Sequence, residues 1–267
     1  MRPRSSVLFW QLLLLVVLLA SWEWLTGIKA ISKTPGLYWI DPFFISRPSL
    51  IARRFAYLLS DRVRLSLWQM TLSTVQSTLW GFVVGVSTGF VAGLVLGRND
   101  RLARIFEPYI VAFNSLPRIA LVPLITMIFG FGLVAKIVLA WTIVFFNTFQ
   151  GARSVDADLI HSARFLGASE HQVMRTVIIP SALAWTFASL TPSISFALIG
   201  VVVGEFLGGE SGGGLGYLII QSLGTLNAAD MMVALLTLGL IGIVMALGIK
   251  QVEMRLLRWR PEYRKGA

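Results

Sequence analysis

Arg118 is the residue of this chain most open to a chemical role. It stands between Pro117 and Pro123 in an apolar run, Asn114–Leu124 (NSLPRIALVPL). A charge at the centre of a membrane helix costs about 2.5–3.5 kcal/mol on insertion scales, so such residues face a cavity or a partner. Two readings follow. Arg118 is a cationic lining for an anionic solute, or it is paired with Glu107, Glu205 or a backbone carbonyl. The two prolines loosen the backbone there, which is tolerated only where protein or water satisfies the freed groups. Asn114, Asn147, Gln76 and Thr142 can line a path or bond between helices. Glu205 can line an outer mouth or pair with a basic residue, and Lys136 reads as an anchor whose charge snorkels to the interface.

Catalysis finds little to work with. No paired carboxylates, metal-ligand spacing or nucleophile–base pair falls within the apolar runs. The absence of cysteine excludes disulfides, thiolate metal sites and cysteine nucleophiles, and two histidines, His161 and His171, are too few for a metal cluster. No GxxxxGK[ST] occurs, so the chain lacks a phosphate-cradling loop of its own. The Gly-rich run Gly208–Gly214 has no Lys and reads as a turn. A non-catalytic transport protein is the expectation, and a membrane enzyme is disfavoured.

The elements that must position these residues are helices in a bilayer. The 267 residues are 56% hydrophobic and 13% charged, with a mean hydropathy of +0.76, where a soluble domain is about a quarter charged. Apolar runs of spanning length without strand alternation predict an all-α integral membrane protein. Six transmembrane helices are expected, near 7–27, 68–97, 106–129, 134–150, 182–204 and 231–250. Trp22 and Trp24 near the end of the first favour a retained helix with an aromatic belt over a signal peptide. No soluble domain interrupts the runs, so one domain is expected over 1–267, with a core of about 66–250 and a basic tail over 251–267.

The net charge of +10 does not point to nucleic acid, because the charges sit at the ends of apolar segments, where they set topology. With both termini cytoplasmic, fourteen basic residues fall inside and seven outside. All seven outer ones lie in 28–66, where Pro48–Arg64 reads as an amphipathic surface helix, with Leu50, Phe55, Leu58 and Leu59 inward and Arg53 and Arg54 outward. In the second span Gly81, Gly85, Gly89, Gly93 and Gly97 share one helix face. Small residues so spaced let a second helix approach closely, within the chain or from a second copy.

One stretch breaks the pattern: Ser154–Pro180 (SVDADLIHSARFLGASEHQVMRTVIIP), polar between two apolar runs. Asp156–Phe165 and Ser169–Val177 read as short helices broken at Gly167, with Ser169 as N-cap and Glu170 in the first turn. Gly167 permits a backbone closed to other residues, and Pro180 would begin the fifth span, where its missing N–H costs little. A helix–turn–helix arm outside the membrane is the result.

This arm resembles the "EAA" cytoplasmic loop of ABC-importer permeases, whose pattern is Glu-Ala-Ala, three residues, Gly, nine residues, Ile, one residue, Leu-Pro. Here His161-Ser162-Ala163 stands for Glu-Ala-Ala, then Gly167, Val177 and Ile179-Pro180 follow at the same spacing. His161 departs from the pattern, so a salt bridge from that position to the ATPase is not implied. Asn114–Leu124 with Phe129-Gly130-Phe131-Gly132, Asn147–Asp156 and Gly204–Gly216 resemble the nitrate/sulfonate/taurine-type permeases. The resemblance covers roughly 46–255. It implies a type I ABC importer permease fold in a bacterial inner membrane, with 152–180 as the coupling loop. It implies cytoplasmic ATPase subunits, an extracytoplasmic substrate-binding protein and a second permease copy, as a homodimer. No cofactor is bound by this chain, since ATP and Mg are used by the ATPase. His161, Ser162, Ala163, Arg164, Leu166, Gly167 and Ala168 are then the ATPase-coupling residues, and Asn114, Arg118, Asn147 and Glu205 the pathway candidates. The solute the resemblance implies is a small anion of the nitrate, sulfonate or taurine kind, or alternatively a vitamin precursor or other small organic solute. A stand-alone secondary carrier is the remaining class. It would carry ionisable coupling residues at the midplane and inverted repeats, for which six spans with one strong midplane charge and no visible repeat are thin.

Overall fold

The computed structural model describes residues 4–28, 41–60, 66–130, 133–208 and 213–257, and all regular structure among them is helical. Readings of Arg2, Lys29, Lys33, Arg62, Arg64, Phe131-Gly132, the Gly-rich run at 209–212 and the tail from 258 lie outside the described residues. Four helices are long and apolar enough to cross a membrane by themselves: Val7–Gly27, Leu67–Arg98, Glu170–Gly208 and Ala228–Leu256. The chain forms two compact units, residues 1–72 with 213–239 and residues 73–212 with 240–267.

In the first unit, α1 (Arg4–Gly27) is apolar around its circumference and exposed over Val7–Leu19, as a lipid-facing helix must be. After a single turn, α2 (Pro42–Ile45), the amphipathic helix α3 runs over Pro48–Leu59. Pro48 opens it, and the orphan N–H of Ser49 is satisfied by another helix: Ser49 N and Oγ donate to the Glu23 carboxylate at 2.9 and 2.8 Å. Arg47 Nη2 donates to the Thr26 carbonyl at 2.8 Å.

The inward face of α3 differs from the expectation. Ile51 and Leu58 are buried, whereas Leu50, Phe55 and Leu59 are exposed. Arg54 shares the Ile51–Leu58 face at helical spacing and turns toward Asp230, 9% exposed, rather than outward. Its Nε donates to Asp230 Oδ1 at 2.6 Å, and Nη2 binds Oδ2 as the second prong of a fork. Asn227 Nδ2 donates to the same carboxylate at 2.8 Å. The hydrogen bond to Asp230 is the main cause raising the Arg54 pKa above the ordinary arginine value, so the guanidinium stays charged. Past α11 (Leu215–Gly224), Asp230 sits in the first turn of α12 (Ala228–Leu256), where Asn227 Oδ1 accepts its N–H.

The second unit is organised by α4 (Leu67–Arg98), α7 (Leu133–Arg153) and α10 (Ile179–Gly208). The glycine face of α4 lies on α7, which settles the close approach as one within the chain. A methyl group at Gly85 would fall 2.8 Å from the Ala140 Cβ, at Gly89 2.9 Å from the Trp141 carbonyl, at Gly93 2.6 Å from the Phe145 carbonyl, and at Gly97 2.9 Å from the Ala152 Cβ. On its other side α7 packs along α10. Gly151 lies under Trp185, and the Thr148 and Thr186 hydroxyls bond at 2.7 Å in the buried contact. Phe82, Ala140, Val144, Leu190, Ile194 and Ala197 fill the core between the three helices.

The expected third span is not one helix. It is α5 (Asp100–Ser115), capped by Asn99 through the N–H groups of Arg101 and Leu102, and α6 (Arg118–Phe129), separated at Leu116-Pro117. A residue before proline is forced out of the helical region, and Leu116 is extended at φ −72°, ψ 140°. Pro108 and Pro123, by contrast, are accommodated inside their helices. At 12 residues α6 reaches only about 18 Å, short of a hydrocarbon core of about 30 Å.

Two changes test the packing. Gly93→Ala is expected to lower stability by about 1–3 kcal/mol through overpacking, while Gly248→Ala, facing open space, is neutral or stabilises by up to about 1 kcal/mol. Thermal unfolding of the purified protein in detergent reads both. Arg54→Ala leaves the Asp230 side chain with Asn227 as its remaining named partner, and is expected to cost about 1–3 kcal/mol, of which Asp230→Asn in the same chain recovers a part.

Candidate functional site

The polar arm begins where α7 ends. Its first helix, α8 (Ala157–Phe165), starts at Asp156, whose Oδ1 accepts the Asp158 N–H at 2.9 Å. It ends in a Schellman turn: Ala168 N bonds the Ala163 carbonyl at 3.0 Å and Gly167 N the Arg164 carbonyl at 2.9 Å. Gly167 adopts φ +86° with open space around its Cα, so conformation and not crowding requires glycine. The spacing of Ala163, Gly167 and Ala168 is thus the spacing of a helix terminator.

Ser169 then caps the next turn, α9 (Glu170–Val173), in a reciprocal box with Gln172: Gln172 N donates to Ser169 Oγ at 3.3 Å and Ser169 N to Gln172 Oε1 at 2.7 Å. The expected boundary at Pro180 does not exist. A π-helical turn, Met174–Ile178, joins α9 directly to α10, with the Ile179 N–H bonded to the Met174 carbonyl five residues back. The reason is local. A proline inside an α-helix removes one hydrogen bond and crowds the carbonyl four residues earlier, and a wider turn just before it absorbs both. The second half of the arm and the fifth span are one helix of 39 residues, Glu170–Gly208.

The arm presents a defined surface. Phe165 and Leu166 are 93% and 85% exposed, the two most exposed large apolar side chains among the described residues. Together with His161, Ser162 and Arg164 they line a shallow open groove. Ala163 and Ala168 are half-buried behind them. Phe165 was absent from the sequence expectation, although an adjacent apolar pair beside a glycine in a polar helix was a visible signal.

Behind the groove Arg164 forks onto Glu170, Nε to Oε1 at 2.7 Å and Nη2 to Oε2 at 3.1 Å, and Arg98 Nη2 reaches Oε2 at 2.9 Å. The hydrogen bond to Glu170 is the main cause raising the Arg164 pKa, so no physiological pH discharges it. Arg153 pairs with Glu107 at 3.5 Å. A cleft of about 320 Å³ lies among Arg98, Asp100, Arg153, His161 and Arg164. Its three arginines are each engaged by a carboxylate, Arg98 and Arg164 by Glu170 and Arg153 by Glu107, and Asp100 adds a further negative charge to the lining.

The pathway candidates are dispersed. Asn114 lines a half-open cavity of about 350 Å³ with Thr142 and the rings of Tyr109, Phe113, Trp141 and Phe145. Trp141 and Phe145 stack within it, centroids 4.6 Å apart and planes at 8°. Asn147 is not part of this cavity, and its Nδ2 donates to the Ile143 carbonyl of its own helix at 2.9 Å. Glu205 is 2% exposed inside the second unit, where Thr74 Oγ1 donates to its carboxylate at 2.9 and 3.1 Å. Arg118 is the first residue of α6 rather than mid-helix, because Pro117 ends the preceding segment, and its expected side-chain role lies outside what is described. No group of three metal-binding side chains occurs among the described residues.

These features have counterparts in known proteins. Residues 85–256 match the family described as binding-protein-dependent transport system inner membrane component. The chain is 34% identical to the riboflavin transport system permease protein RibX of Chloroflexus aurantiacus, over 81% of each chain. It is 29% identical to the putative aliphatic sulfonates transport permease protein SsuC of Bacillus subtilis, over 94% of this chain and 88% of that one. Among solved structures, the inward-facing MetNI methionine ABC transporter aligns with a TM-score of 0.56 at 22% identity, covering 72% of this chain and 94% of that chain, which shows a shared fold. The chain therefore belongs to the binding-protein-dependent transport system inner membrane components, the transport subunits of ABC importers.

Proposed function

We propose that this chain forms the translocation pathway of an importer driven by separate cytoplasmic ATPases, with His161–Ala168 as the surface on which an ATPase subunit seats. The observation that carries this is the tip itself. Two large apolar side chains stand almost fully in solvent on a turn rigidly closed by Gly167. A membrane protein has no reason to hold Phe165 and Leu166 in water unless a partner covers them. The arm joins α7 at one end and runs without a break into α10 at the other, so a displacement of the tip acts on two helices that pack along each other. ATP and Mg belong to the partner, this chain binds no cofactor, and ATPase closure opens the pathway outward. The arm's side of the membrane is cytoplasmic, as are both termini, in a bacterial inner membrane. An extracytoplasmic binding protein delivers the solute, and a second copy of this chain completes the pathway.

The solute we propose is a small organic anion of the sulfonate or taurine kind, supported by the sulfonate permease that aligns over nearly the whole chain. One observation favours a second reading, a vitamin precursor with a planar ring: the cavity beside Asn114 is walled by aromatic side chains and the described lining carries no charge.

Two experiments test these readings. Gly167→Val forces a β-branched residue to φ +86° at a cost of about 1–3 kcal/mol and unwinds the tip. Co-purification of the ATPase is expected to weaken and uptake to cease, and normal assembly with normal uptake would refute the seating. Mass spectrometry of the ligand retained by the co-purified binding protein decides the solute: a sulfonate supports the first reading, a ring compound the second.

A further inference from the structure

We infer that Glu170 is a positioning residue that ties the arm to α4, so that movement of the tip is passed to α4 as well as to α7 and α10. The inference rests on the reading of His161–Ala168 as the ATPase seat.

One carboxylate joins three elements. Glu170 is the first residue of α9, on the far side of the Gly167 turn from Arg164, and the Arg164 fork closes the elbow between α8 and α9. A bidentate guanidinium fixes a carboxylate in plane as well as in distance, which a point charge does not do. The third limb, from Arg98 Nη2 at 2.9 Å, comes from the last residue of α4.

That limb is anchored. Arg98 follows Gly97, which the Ala152 Cβ and the Phe149 carbonyl hold within a methyl group's reach, so the end of α4 packs directly against α7. The glycine face gives α4 no slack, and the arginine at its end reaches out to the arm.

The charge pattern allows no substitute. Glu170 is the only carboxylate between Asp158 and Glu205, and position 161, where the family's pattern carries an acid, is histidine. Without Glu170, Arg98 and Arg164 would face each other as like charges and push the arm off α4. Exposed ion pairs add little stability taken singly. The shared carboxylate therefore sets geometry: it decides which helices move with the tip.

The test uses the full complex with its ATPase and binding protein in proteoliposomes. Arg98→Gln removes only the α4 limb and leaves the elbow closed, while Glu170→Gln removes both. Assembly and ATP hydrolysis are expected to persist in each, while uptake per ATP falls about five- to tenfold, the scale of a typical coupling free energy. The chain has no native cysteine, so Val95→Cys on α4 and Leu159→Cys on α8 can be spin-labelled without background. Their distance distribution is expected to broaden in both variants. The conservative Arg98→Lys keeps a cation opposite Glu170 and leaves the seat untouched, and it is expected to narrow the distribution again and restore uptake in part. Unchanged distances and uptake per ATP in Arg98→Gln would overturn the inference, as would loss of assembly in both variants. If Gly167→Val leaves ATPase binding intact, the underlying seat fails instead, and the distance measurement still reads the clamp independently.

Discussion

Between α4 and α7 there is no room for a methyl group, and much of the second unit follows from that. Inside a bilayer two helices gain nothing from hiding apolar surface, because lipid tails are as apolar as leucine. Association then depends on how closely backbones approach. Gly85, Gly89, Gly93 and Gly97 let α4 rest on the carbonyls of Trp141, Phe145 and Phe149, and Gly151 does the same for α7 beneath Trp185 of α10. The three helices pack without slack along these contacts.

The arm is built by different rules, those of helix ends in water. Asp156 starts α8, the Schellman turn at Gly167 stops it, and the Ser169–Gln172 box starts the next. The N–H groups of Leu166, Gly167, Ala168, Ser169 and Gln172 all have partners at the bend, so the tip keeps its shape while exposing Phe165 and Leu166. The π-turn at Met174–Ile178 then removes the joint that Pro180 would otherwise create. A rigid tip on a continuous helix transmits displacement instead of absorbing it in a hinge.

Much of this was legible in the sequence because the signals are local. The glycine period, the caps at Asp156 and Ser169, the stop at Gly167 and four of the six expected spans follow from residue type and spacing over a few turns. The misreadings share a cause. Pro117 and Pro180 carry the same local signal, yet one divides a helix and the other does not, because a π-turn rescues the second. Arg54 reads as an outward charge until Asp230, far along the chain, is placed opposite it. Glu170 reads as a favourable helix-end charge until Arg98 and Arg164 arrive on either side.

The sequence alone determined the class of protein, since hydropathy fixes what must lie in lipid and spacing fixes where helices start and stop. It also determined the arm, because a left-handed glycine between two capped helices has few structural alternatives. Tertiary structure decided which helix the glycine face receives, that Asn114 lines the aromatic-walled cavity without Asn147, and that Glu170 bonds two arginines at once. The glycine seat, the wall of that cavity and the Arg98 limb depend on residues tens of positions apart meeting, and no local periodicity encodes such a meeting.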